Sequence, residues 1–132
     1  MGGHKKVVAV VALIEDEAIL RETFQIIMDA EGFEVLTASS GQEGLELVKH
    51  NKPDFILLDI LMPDLNGLDF LRAYKAKEHP ETKVIVFSNL SDPEEIKTSK
   101  ELGAWQYLVK ADFTPRELAD RLKKELAAEK SK

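Results

Sequence analysis

Cysteine is absent from the 132 residues. With it go disulfide bridges, a thiol nucleophile and every thiolate metal site. Basic charge is also short. The formal net charge is -6, and an acidic surface repels phosphate backbones, so neither acidic partners nor direct binding of nucleic acid is expected. Long apolar runs are missing too. The longest, residues 7–14, falls well short of the roughly 20 residues that cross a bilayer, which argues against membrane insertion. Lys5 and Lys6 precede that run as in a secretory signal. However, no small-residue cleavage site follows, and Glu15, Asp16 and Glu17 come directly next, so the run reads as a buried strand. No glycine-rich phosphate loop follows it, which disfavours flavin and nucleotide binding. Internal repeats, low-complexity tracts and linkers are absent as well.

What remains fits one soluble globular domain, with 44% hydrophobic residues for a core and 32% charged residues for a solvated surface. The lack of cysteine suits the cytoplasm. Residues 7–14, 34–38, 55–59, 83–88 and 106–109 are rich in aliphatic and aromatic side chains and read as strands. Helical segments lie between them. The first, 18–31, carries Leu20, Phe24, Ile27 and Met28 at helical spacing and stops at Gly32. Three others open with Ser or Thr followed three residues later by Glu: Ser40/Glu43, Ser91/Glu94 and Thr114/Glu117. Another, 68–77, follows Gly67 and carries Leu68, Leu71 and Tyr74 on one face. Pro115 and the stripe Leu118, Leu122 and Leu126 mark the last helix. Strands alternating with helices over short connections predict an α/β fold with a parallel sheet covered on both faces. Residues 1–4 read as a flexible leader or an expression remnant, and 128–132 as a charged tail that frays.

Open parallel sheets place ligand sites at the C-terminal ends of their strands. There the sequence puts Glu15 and Asp16, then Asp59, Ser88 and Lys110. Crowded carboxylates resist ionisation unless a cation sits among them. The all-oxygen donor set suits Mg2+, with Asp16 and Asp59 as direct ligands and Glu15 holding a coordinated water. A phosphate could complete the metal's shell, with Lys110 supplying charge and Ser88 a hydroxyl donor. Asp59 would then be the nucleophile that accepts a phosphoryl group. Taken singly, Glu15 or Asp16 is better explained as a solvated loop acid or helix start, Ser88 as a turn residue, Lys110 as a surface charge and Tyr107 as a half-buried strand aromatic; only together do they favour the site. Asp59 closes the apolar run FILL and has fewer structural explanations, capping of the next turn being one. His50 and His79 read as surface residues, and Trp105 as packing between the fourth helix and the fifth strand.

The acid pair in LIEDE, the segment LLDILMPDLNG, Ser88 after VIVF, and YLVK together resemble the receiver domain of two-component response regulators, over about residues 5–127. The resemblance implies a (βα)5 flavodoxin-like fold, a five-stranded parallel sheet with helices on both faces. It implies that Asp59 takes its phosphoryl group from a histidine kinase or phosphotransfer protein, with Mg2+ required and the backbone carbonyl of Leu61 as a further metal ligand. Ser88 and Tyr107 would move together on phosphorylation and alter a face made of the fourth helix, fifth strand and fifth helix, which binds a downstream partner. The chain would be a stand-alone receiver that catalyses only its own modification.

Several positions depart from the family's pattern. Ala111 follows Lys110 where proline is common, and Asn89 follows Ser88 where a small apolar residue is usual. Leu61 and Leu90 stand where relatives face the hydrolytic water. Apolar side chains there imply a long-lived phosphorylated form, an expectation sunk if a Leu61→Asn, Leu90→Glu variant keeps its phosphate as long as the parent. The alternative function is a phosphorylation-independent adaptor. A phosphohydrolase, which would need a second acid at position 61, is disfavoured.

Overall fold

The computed structural model describes residues 7–89 and 91–130. Five strands form one sheet: β1 (Val10–Ile14), β2 (Glu34–Ala38), β3 (Phe55–Leu58), β4 (Lys83–Ser88) and β5 (Gln106–Val109). All pair in parallel in the order β2-β1-β3-β4-β5. Five helices connect or follow them: α1 (Ala18–Ala30), α2 (Gly41–His50), α3 (Gly67–Tyr74), α4 (Pro93–Glu101) and α5 (Pro115–Lys130). The alternation of strands and helices predicts this parallel sheet covered on both faces, and the family resemblance implies its (βα)5 flavodoxin-like form; both are found.

Side chains alternate across a strand, and both faces of this sheet are apolar. Val11, Leu13, Phe55, Leu57, Ile85 and Phe87 point to one side, where α1 brings Phe24 and Met28 and α5 brings Leu118 and Leu122. The rings of Phe24 and Phe87 meet edge to face at 5.3 Å, worth about 1 kcal/mol beyond the area they bury. Ala12, Ile14, Ile56, Leu58, Val84 and Val86 face the other way, toward Val48 of α2 and Phe70 and Leu71 of α3. Because β1 lies between β2 and β3, the chain reverses its direction of travel across the sheet after β2. The crevice for a ligand therefore opens beyond the C-terminal ends of β1 and β3.

The boundaries differ from the sequence reading in five places. Strand pairing begins at Val10, not Val7, and exposed Val7 and Val8 form a lead-in. Val8 donates its N–H to the Gly32 carbonyl at 2.9 Å and lies over Gly32, whose φ of 99° is left-handed and ends α1 as expected. β3 stops at Leu58, so Asp59 stands just past the ladder with its N–H donated to the Ile14 carbonyl at 3.1 Å. α3 ends at Tyr74 because Lys75 turns left-handed, and a 3-10 turn over Ala76–Glu78 follows. α4 is capped by Asp92 and not by Ser91: the Asp92 carboxylate accepts the Glu94 N–H at 3.0 Å. A carboxylate is the stronger acceptor, and Pro93 favours the first helical position. α5 runs through Lys130, past residue 127 where fraying is expected, and Glu125 and Glu129 near its end pair with Lys83 of β4. Residues 1–4, 131 and 132 lie outside the described residues.

The expected caps at α2 and α5 are in place. The Ser40 hydroxyl accepts the Glu43 N–H at 3.1 Å. Thr114 and Glu117 exchange reciprocal bonds at 3.1 Å and 2.9 Å. Trp105 packs elsewhere than expected. It tilts against Phe55 at 6.3 Å and joins the core on the α1/α5 face, with the Lys83 ammonium 5.8 Å from its ring.

Candidate functional site

The rim at the ends of β1, β3 and β5 collects charge. Glu15 and Asp16 lead from β1 into α1, Asp59 follows β3, and Lys110 follows β5. Glu15 and Asp59 are only 3% and 7% exposed, while Asp16 is partly open to solvent. One carboxylate oxygen from each of Glu15, Asp16 and Asp59 lies within 4.8 Å of the other two. Lys110 reaches over them, with its Nζ 2.7 Å from Glu15 Oε1 and 3.2 Å from Asp59 Oδ2.

Burial pushes the Glu15 carboxyl up to about 7. The hydrogen bond from Lys110 opposes that rise, and the neighbouring Asp59 charge adds to it. Burial pulls the Lys110 ammonium down, but the bond to Glu15 and the charge of Asp59 outweigh it and hold the group above its ordinary value. Lys110 therefore stays charged and offsets part of the negative charge of the acids.

Backbone contacts fix the acids. The Glu17 N–H donates to Glu15 Oε2 at 3.2 Å, and the Leu61 N–H donates to Asp59 Oδ1 at 3.1 Å. Arg21, one turn into α1, donates from Nη1 to the Glu15 carbonyl at 2.8 Å and ties the acidic loop to the helix. Sequence reading missed Arg21. Its one signal is a cation six residues after Glu15, which on its face of a helix reads as a surface charge.

Ser88 is buried at the end of β4 and shares a side-chain hydrogen bond with Tyr107 of β5. Burial raises the Tyr107 hydroxyl, the Ser88 bond counters it, and the charges of Glu95, Asp92 and Asp59 add to the rise. Glu95, on α4, was not singled out from sequence. Its Oε2 is buried without a hydrogen-bond partner among the described residues. Leu61 is 56% exposed at the edge of the site, and Leu90 lies outside the described residues. The described peptide bonds include no cis bond, and Lys110 leads through Ala111 into a 3-10 turn ending at Asp112. His50 and His79 are engaged elsewhere, with Glu46 at 3.5 Å and stacked on Tyr74 at 4.4 Å.

The cluster's chemistry fits a hard divalent cation. Oxygens about 2.1 Å from one octahedral ion stand about 3 Å apart as neighbours and about 4.2 Å apart across it. The three carboxylate oxygens, all within 4.8 Å of one another, lie close to that spacing. Soft and imidazole donors are absent from the cluster, which disfavours zinc and copper. Receiver domains bind Mg2+ at such an acidic group.

An α/β sheet flanked on both faces, with three acids and a lysine gathered at its strand ends, gives a flavodoxin-like fold with its candidate site where such sheets place ligands. The family described as "Response regulator receiver domain" matches residues 11–123, and the chain belongs to that family, the receiver domains of two-component response regulators. The CheY-like receiver domain protein of Methanospirillum hungatei JF-1 is similar with a TM-score of 0.84 and 26% identity, over 92% of this chain and 96% of that one. A receiver domain from Clostridium thermocellum is similar with a TM-score of 0.80 and 31% identity, over 92% of this chain and 97% of that one. The transcriptional regulatory protein SrrA of Staphylococcus aureus is 34% identical over 113 residues, which cover 86% of this chain and 46% of SrrA. The chain spans less than half the length of the curated relatives it matches.

Proposed function

We propose that Asp59 accepts a phosphoryl group from a phosphohistidine on a sensor histidine kinase or phosphotransfer protein, and that the modified domain then binds a downstream partner. The observation that carries this reading is the setting of Asp59. It is a buried carboxylate at a strand end, with Lys110 at 3.2 Å and two further acids within metal-sharing distance.

In the reaction an Asp59 carboxylate oxygen attacks phosphorus, the bond from phosphorus to the donor imidazole nitrogen breaks, and an acyl phosphate forms. Glu15, Asp16, Asp59 and the Leu61 carbonyl would hold Mg2+. When bound, the ion offsets the charge of the acids and of the incoming phosphoryl oxygens. Lys110, already charged and already on Asp59, places its ammonium beside the new phosphoryl oxygens. The Ser88 hydroxyl is the donor for another of them. Because Ser88 is bonded to Tyr107, drawing its hydroxyl to the phosphoryl group opens space that the Tyr107 ring can fill.

The readout belongs on α4, β5 and α5. Ser99 is the only fully buried residue of α4, whereas α5 buries Leu118, Ala119 and Leu122, so α4 is the helix more easily moved. An open cleft of about 610 Å³ between Trp105, Phe113 and the α5 residues Glu117 and Arg121 offers a partner a foothold on the same side. The reading places the protein in the cytoplasm. Among the described residues no helix is long and apolar enough to cross a membrane.

Incubation with Mg2+ and a small-molecule phosphodonor, followed by intact mass measurement, tests the proposal. The parent gains one phosphoryl group, while Asp59→Asn and a chelator-treated parent gain none. No adduct on the parent, or an undiminished adduct on Asp59→Asn, overturns it.

A further inference from the structure

The loop from Asp59 to Asn66 joins β3 to α3 and presents the Leu61 carbonyl proposed above as a metal ligand. Burial does not fix Leu61, since the residue is 56% exposed. The loop's near end is closed by the Gly67 N–H donating to the Ile60 carbonyl at 2.9 Å and by the buried Met62 side chain. Its outer end packs Leu65 against the core and is tied to α2 through the Asp64 carboxylate. Asp64 Oδ1 accepts the Gly41 N–H at 3.0 Å, and Asp64 Oδ2 accepts the Gln42 N–H at 2.9 Å.

These amides open α2, where the first turn has donors without partners inside the helix. Ser40 satisfies one of them, the Glu43 N–H, and Asp64 satisfies two more from another part of the chain. The two amide bonds hold the Asp64 carboxyl below its usual range, so its charge is complementary to the helix start. Leu65, the next residue, lies so close to Gly41 that a Cβ there would come within 2.7 Å of both the Leu65 Cβ and the Leu65 carbonyl oxygen. Only glycine at position 41 lets the loop seat on the helix. Pro63, with its fixed φ, separates Asp64 from Met62 and passes the constraint along a short, stiff path.

We infer that Asp64 is a positioning residue for the metal: by docking the loop onto the start of α2, it sets where the Leu61 carbonyl stands relative to Asp59. The inference rests on the proposed metal-dependent function and extends it to a residue outside the acidic cluster. A plain capping role for Asp64 would stabilise α2 and leave metal affinity alone. The two roles separate against Ser40→Ala, which removes a cap from the same helix start without touching the loop.

Mg2+ affinity is measured by titration calorimetry on the parent, Asp64→Ala, Asp64→Asn and Ser40→Ala, with thermal unfolding of each. The parent binds Mg2+. Asp64→Ala weakens binding by about tenfold, the scale of an outer-shell contact. Asp64→Asn, which keeps one acceptor oxygen, falls between the two. Ser40→Ala lowers the unfolding midpoint but leaves affinity within about twofold of the parent, as independent sites do. Parent-like affinity in Asp64→Ala, or equal weakening in Ser40→Ala, overturns the positioning role. A parent that binds no Mg2+ overturns the proposed function beneath it.

Discussion

Lys110 and Glu15, 2.7 Å apart and largely shielded from water, make the site's electrostatics depend on pH in a definite direction. The folded Glu15 carboxyl, pushed to about 7 from its ordinary 4.5, binds its proton more tightly than the unfolded chain does. Protonation therefore favours the folded state. That contribution is complete below about pH 4.5 and is gone once pH rises past about 7. In the presence of a chelator, the Glu15 contribution is expected to lower the unfolding midpoint as pH is raised between those values, and Glu15→Gln is expected to flatten that part of the profile. An identical profile in the two proteins rules out Glu15 as its source. Glu15, Asp16, Ser88 and Lys110 were legible in sequence only jointly, through their shared place at the ends of apolar strands, whereas Asp59 closing FILL has few structural explanations even alone. Arg21 and Asp64 were not legible. Their partners are backbone groups, and a backbone donor or acceptor leaves no mark in the sequence.

Among elements, α5 shows how strongly an apolar stripe specifies position. Leu118 and Leu122 are fully buried between the sheet and α1. Leu118→Ala is expected to remove about 2–5 kcal/mol of stability, read from the urea midpoint at unchanged slope. A loss below about 1 kcal/mol, the size of a change at an exposed position, would show that the face is loosely packed. The periodicity that marked this helix and the strand pattern that marked the sheet were enough to place the elements. The ends were harder. Ser91 and Asp92 both suit a cap, and only Pro93 in the first turn decides between them. The last turn of α5 looked like a charged tail because its stabilising partner, Lys83, lies on β4, far away in sequence. Apolar character alone extended β1 to Val7, although pairing starts where Asp54 Oδ2 accepts the Val10 N–H at 2.8 Å.

At the scale of the whole molecule, the acidic rim and the net charge of -6 act together: crowded negative charge opposes compaction, and a divalent cation relieves it where it is densest. Metal binding to the folded state alone raises stability by about 2.7 kcal/mol when free Mg2+ is about a hundredfold above its dissociation constant. The unfolding midpoint is expected to climb with Mg2+ concentration and to fall back on chelation, and Asp16→Asn is expected to blunt the climb. A midpoint indifferent to Mg2+ removes the cluster from consideration as a metal site.

The ion pair between Lys110 and Glu15 closes across 95 positions of chain. A nascent polypeptide that has emerged only as far as α4 already holds all three acids, but not the ammonium that balances two of them. The charge balance of the rim is completed only once β5 and the turn after it have emerged, so the site comes together late in the making of this fold.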